Sequence, residues 1–174
     1  TLKNSSRDGK LIVVSRDLTR AVFVEEIAHT LQNALDSWDN CQPKLQAVYE
    51  AINKGVVEGE FALDINQCLS PLPRAFQWAD GSAYLNHVEL VRKARGADMP
   101  ENFWHDPLMY QGGCDGFLAP HDDIALKDVD WGLDYEAEVA VITDDVPQGI
   151  EPAQASKHIK LIMIVNDVSL DNSL

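Results

Sequence analysis

From Leu133 to Ile142 the chain reads Leu-Asp-Tyr-Glu-Ala-Glu-Val-Ala-Val-Ile, a stretch that ends in alternating β-formers. Strand side chains point to the two faces of a sheet in turn. Glu136 and Glu138 therefore share one face, and Tyr135, Ala137, Val139 and Val141 take the other. The two carboxylates lie roughly 7 Å apart along such a strand. At an effective dielectric of about 20 they repel by about 2 kcal/mol. A solvated face tolerates that repulsion. A partly buried face needs a cation or a proton to offset it. This stretch alone is compatible with a wet face and with a cation site.

Two further stretches bear on that choice. Leu161-Ile162-Met163-Ile164-Val165 is an unbroken β-type run, which predicts a buried strand. Asn166-Asp167 follows it directly, either as turn chemistry or as functional groups at a strand end. Upstream, Trp78-Ala79-Asp80-Gly81-Ser82-Ala83-Tyr84-Leu85-Asn86-His87 holds an Asp-Gly pair that suits a plain turn. His87 reads as an ordinary histidine or as a proton acceptor near neutral pH.

The N-terminal part reads as a small α/β unit. Leu11–Val14 and Ala21–Val24 form a predicted hairpin about Arg16-Asp17. Ile27, Leu31, Ala34, Leu35 and Trp38 recur at helical spacing, with Asp39-Asn40 as the stop. Pro43 suits the first turn of a second helix carrying Leu45, Val48, Tyr49 and Ile52, and Lys54-Gly55 closes it. Phe61, Leu63 and Ile65 alternate as a strand. Ser70-Pro71-Leu72-Pro73 is stiff and extended, and the domain boundary is expected there. Beyond it, short strands, glycines and acidic turns dominate. One brief helix is predicted from near Pro152 to near Lys160.

Charge and cysteine usage narrow the function. The 28 acidic and 14 basic residues give a net charge of −14, which repels phosphate backbones and anionic lipid. A small anionic substrate then needs a local positive centre, which a metal ion supplies. Cys41, Cys68 and Cys114 show no CxxC spacing, so free thiols in a reducing cytoplasm are expected rather than disulfides. Thr1 to Lys10 is polar and carries no secretory signal, although a chain that does not begin with Met says little about its natural start. Trp38, Trp78, Trp104 and Trp131 read as packing groups. His29 and His158 read as surface groups on helices, and His105 and His121 as loop residues.

The strand at 133–142, followed by Val-Asn-Asp-Val-Ser-Leu at 165–170, resembles the metal-binding core of the fumarylacetoacetate hydrolase family. The resemblance covers roughly residues 72–170. It implies Glu136, Glu138 and Asp167 as ligands of a Mg2+, Mn2+ or Ca2+ ion, and hard oxygen donors suit those ions. Asp80 and His87 resemble a further metal ligand and a water-activating histidine of the family's hydrolases. Tyr110 stands where those enzymes carry a tyrosine near the substrate. The implied fold is α+β: a small N-terminal α/β domain over 1–71, then part of a mixed β-sheet catalytic domain over 72–174.

The implied activity is metal-dependent hydrolysis of a carbon–carbon bond in a fumarylacetoacetate-like or acylpyruvate-like diketo acid. The implied setting is small-molecule or aromatic catabolism by a cytoplasmic homodimer that binds neither nucleic acid nor membrane. The alternatives are a decarboxylase, isomerase or hydratase of the same family, and a non-catalytic metal-binding module. Two departures stand out. Asp171 takes the place of the family's usual arginine. The chain also stops at Leu174, before the half that completes the sheet and brings a pocket lysine. A truncated chain, inactive alone and ordered only through self-association or a missing segment, is the resulting expectation.

Overall fold

A computed structural model describes residues 1–82 and 84–170; Asp171 and the end at Leu174 lie outside the described residues. The chain forms two compact units. One comprises Thr1–Leu72 with the chain from Leu118 onward, and the other is Pro73–Phe117. Helices and small antiparallel sheets are mixed, consistent with an α+β class.

In the first unit, β1 (Ile12–Val14), β2 (Arg20–Phe23) and, after two helices, β3 (Phe61–Ala62) build a sheet in the order β1-β2-β3. The hairpin predicted around Arg16-Asp17 is present. Its turn is held by Asp17, whose Oδ1 accepts from the Ser15 hydroxyl at 2.6 Å and from the Thr19 hydroxyl at 2.7 Å. These bonds, with one from the Thr19 main chain, hold the Asp17 carboxyl down at about 2.

The helices are α1 (Leu31–Asp36) and α2 (Trp38–Asn53). The helix expected to run from Ile27 to Trp38 is shorter at both ends. Thr30 caps α1 by accepting from the Asn33 N–H at 3.1 Å, so Ile27 precedes the helix. The break falls at Ser37 and not at Asp39-Asn40, which belong to α2. Pro43 therefore sits inside α2 rather than in its first turn. It forgoes a bond to the carbonyl of Asp39, and both residues are exposed, where solvent lowers the cost of that loss. Gly55 follows α2 with φ of 70°, the left-handed conformation that ends a helix without a Cβ penalty. The strand expected through Leu63 and Ile65 stops at Ala62, because Asp64 accepts from the Asn66 N–H at 3.0 Å and opens a 3-10 turn over Ile65–Gln67.

In the second unit, β4 (Ala79–Ser82) pairs antiparallel with β5 (Leu108–Gln111). Asp80-Gly81 is thus strand rather than turn. Between them lies α3 (Leu85–Ala94), which the sequence pattern did not reveal. Leu85, Val88 and Val91 recur along it every third residue, but only Val88 is buried. Gly112 lets the Trp78 indole lie close: a Cβ there would sit 2.1 Å from Trp78 Cδ1. Trp104 is exposed and Trp131 partly so, which departs from the expectation that both are packing groups.

The first unit also contains a long hairpin of β6 (Leu133–Thr143) and β7 (Ile159–Leu170). The short α4 (Pro152–Ala155) and a 3-10 turn over Ser156–His158 lie between them, close to the helix predicted there. Gly132, at φ of 68°, ends a preceding 3-10 turn and lets β6 begin. The N-terminal core of Val22, Val24, Leu31, Leu35 and Ile52 also takes in Ile142, and Leu161 and Met163 pack against it. Thus one end of the hairpin is rooted in the core that the first residues build. The strand expected to be buried over Leu161–Val165 is only half-buried, and on that face alone. On the other, Ile162 and Ile164 are 71% and 78% exposed.

Candidate metal centre

The register of β6 on β7 sets the faces. Glu136 lies opposite Asp167, and Glu138 opposite Val165. Directly opposed residues of an antiparallel pair project to the same face, so Glu136, Glu138 and Asp167 share one. It is also the face that continues to Ile142 and the core. Glu136, Glu138 and Asp167 are all half-buried. Glu138 and Asp167 each offer a carboxylate oxygen, the two lying within 4.8 Å of one another. The Asn166-Asp167 pair is not a turn, since β7 runs straight through it to Leu170.

Asn166 has a role the sequence did not show. It lies opposite Ala137, on the far face. Its side-chain Oδ1 accepts a hydrogen bond from the main-chain N–H of Glu136 at 3.1 Å. The available signal was a polar residue amid an otherwise apolar face.

At the other end of the hairpin a second polar group was also missed. Asp144 Oδ1 meets His158 Nδ1 at 2.5 Å, and its Oδ2 meets Lys160 Nζ at 3.0 Å. Burial pushes the Asp144 carboxyl up, but the bonds and charge of Lys160 and His158 outweigh it and hold the group below the usual carboxylate range. His158, expected as a surface group, is thereby tied into the hairpin.

In the second unit, Asp80 and Tyr110 are register partners on one face of the β4–β5 ribbon. Asp80 is half-buried and the Tyr110 side chain is exposed. His87 is an exposed residue in the first turn of α3. Cys41, Cys68 and Cys114 are free thiols. Among the described residues, no helix is long and apolar enough to cross a membrane.

Comparison with known families assigns both parts of the chain. Residues 1–74 match the fumarylacetoacetase N-terminal domain 2, and residues 77–173 match the fumarylacetoacetate hydrolase C-terminal domain. The chain belongs to the fumarylacetoacetate hydrolase family. No curated protein matched it. Fumarylacetoacetate hydrolase family members generally use divalent metals. The face carrying Glu136, Glu138 and Asp167 fits such an ion by donor chemistry, since it presents carboxylate oxygens and these suit hard cations. Membership also supports an enzyme of the hydrolase or decarboxylase type.

Proposed function

We propose that this protein is a metal-dependent hydrolase that cleaves a carbon–carbon bond in an acylpyruvate-like or fumarylacetoacetate-like diketo acid. The observation that carries the reading is the approach of two half-buried carboxylates on one face of β6–β7, Glu138 and Asp167, whose oxygens lie within 4.8 Å of one another. Carboxylates that close repel unless a cation or proton offsets them. Glu136, Glu138 and Asp167 would hold a Mg2+, Mn2+ or Ca2+ ion, and Asp80 is assigned as a further ligand on the family resemblance. When bound, the ion supplies a positive centre for the substrate's oxygens and stabilises the charge that develops on them.

The protein's own groups do the rest. His87 takes a proton from water, which attacks the carbonyl distal to the acid group. The carbon–carbon bond then breaks, its electron pair leaves with the pyruvate-side carbon, and that carbon takes up a proton. An imidazole suits this role because its ring nitrogen can accept a proton from water and later return it. Tyr110 is assigned to substrate binding. The strong negative charge favours a small keto acid whose charge the ion meets, over nucleic acid or a membrane surface. A cytoplasmic homodimer in small-molecule catabolism completes the proposal.

The test is turnover of an acylpyruvate by the intact protein with Mn2+ supplied. His87→Ala is expected to lower kcat by at least about 100-fold, the scale of general-base catalysis, with Mn2+ affinity nearly unchanged. Equal turnover after His87→Ala would remove the water-activation step. Decarboxylation in place of hydrolysis would assign the site to the family's other chemistry.

A further inference from the structure

We propose that Asn166 is a positioning residue for the carboxylate site, clamping the backbone of β6 at Glu136 so that ligands on the two strands keep their spacing. The inference rests on reading that site as a cation site.

Three observations carry it. First, the bond spans the hairpin: Asn166 Oδ1 on β7 accepts from the Glu136 N–H on β6 at 3.1 Å. Second, Asn166 directly precedes Asp167, and its side chain leaves on the opposite face. Ligand and clamp thus depart from neighbouring Cα atoms, and the clamp reaches the residue opposite Asp167. Third, the residues around Asn166 on its face are Tyr135, Ala137, Val139, Ile164 and Val168. A β-branched residue has the better strand propensity at such a position. Asn166 is exposed on this face, yet its amide oxygen is engaged by the opposite strand's main chain.

The physical need is clear from the hairpin's layout. The core roots it at Ile142, while Glu136 lies near the open end, where strands fray. The same end carries three carboxylates that repel one another across the strands. A divalent ion requires donor oxygens at about 2.0 to 2.6 Å from itself, so a small separation of β6 from β7 would take one ligand out of range. The Asn166 bond opposes that separation without occupying the ligand face.

The experiment uses the intact protein and Mn2+ alone, with three readouts: Mn2+ affinity by titration, exchange of the Glu136 amide, and metal-free thermal stability. Asn166→Val removes the acceptor and installs a better strand former. It is expected to weaken Mn2+ binding about tenfold, as loss of a ligand-orienting partner does. It should also speed Glu136 amide exchange and leave the metal-free Tm unchanged or higher. Asn166→Asp keeps an acceptor oxygen and should retain Mn2+ affinity near the parent's. Asn166→Ala provides the same contrast should the valine variant not fold. Parent-like Mn2+ affinity in Asn166→Val, despite faster Glu136 exchange, would overturn the inference while leaving the metal site standing. No Mn2+ binding by the parent would bring down the metal site itself and the inference with it.

Discussion

The two ends of the β6–β7 hairpin share a face and are built on opposite principles. Toward the turn, Ile142, Leu161 and Met163 pack on the N-terminal core, and Asp144 ties His158 and Lys160 together. Toward the open end, the same face carries Glu136, Glu138 and Asp167. One end gains stability from burial and paired charge. The other holds like charges together and forgoes stability that an apolar face would supply. Functional sites commonly break local rules in this way, and the packed end supplies the stability that lets the acidic end persist.

Three measurements sharpen or break this contrast. The largest effect is expected at the packed end. Ile142→Ala removes a buried side chain from the shared core and should cost about 3 kcal/mol in denaturant unfolding of the metal-free protein. A loss below about 1 kcal/mol would mean that the hairpin is not rooted there. Next comes Glu138→Gln, which should weaken Mn2+ binding by about 100-fold, more than loss of an orienting partner. Its metal-free stability should hold or rise, because a repulsive charge is gone. Lower metal-free stability would show that Glu138 is a structural group.

The smallest effect is expected at Asp144. Asp144→Asn should cost about 1 kcal/mol or less near neutral pH, as for half-exposed ion pairs. The sign with pH follows from its depressed carboxyl. Its stabilisation is full above the ordinary carboxylate range and is lost as pH falls through the lowered value. The parent should therefore lose stability on acidification more steeply than the variant once pH falls below the ordinary carboxylate range. Parallel acid unfolding curves would assign the hairpin turn's stability to packing alone.

The acidic face was legible because a period of two cannot be mistaken once a strand is recognised. Glu136 and Glu138 had to point the same way, and Asn-Asp after an apolar run placed Asp167 near the second strand's end. Register was not legible: nothing local says that Glu136 meets Asp167 rather than Val165. Helix limits were misread where side-chain caps competed with composition. Asp39-Asn40 looks like a stop, but the backbone breaks one residue after α1, at Ser37. Helix α3 escaped although Leu85, Val88 and Val91 recur every third residue, because its ten residues give too short a pattern to stand out among the surrounding turns. Asn166 escaped because its partner is a main-chain N–H thirty positions away.

The rooting of Ile142 has a consequence for how such a protein can be cut and recombined. The two family domains meet between residues 74 and 77, so a crossover there would look clean in the gene. Packing ignores that seam, because Ile142 belongs to a core whose other buried members all precede residue 53. A hybrid that exchanges the first 74 residues for a distant homologue's inherits a socket shaped for a different side chain. Inheritance at this junction is therefore linked: the N-terminal segment and the far end of the hairpin must change together.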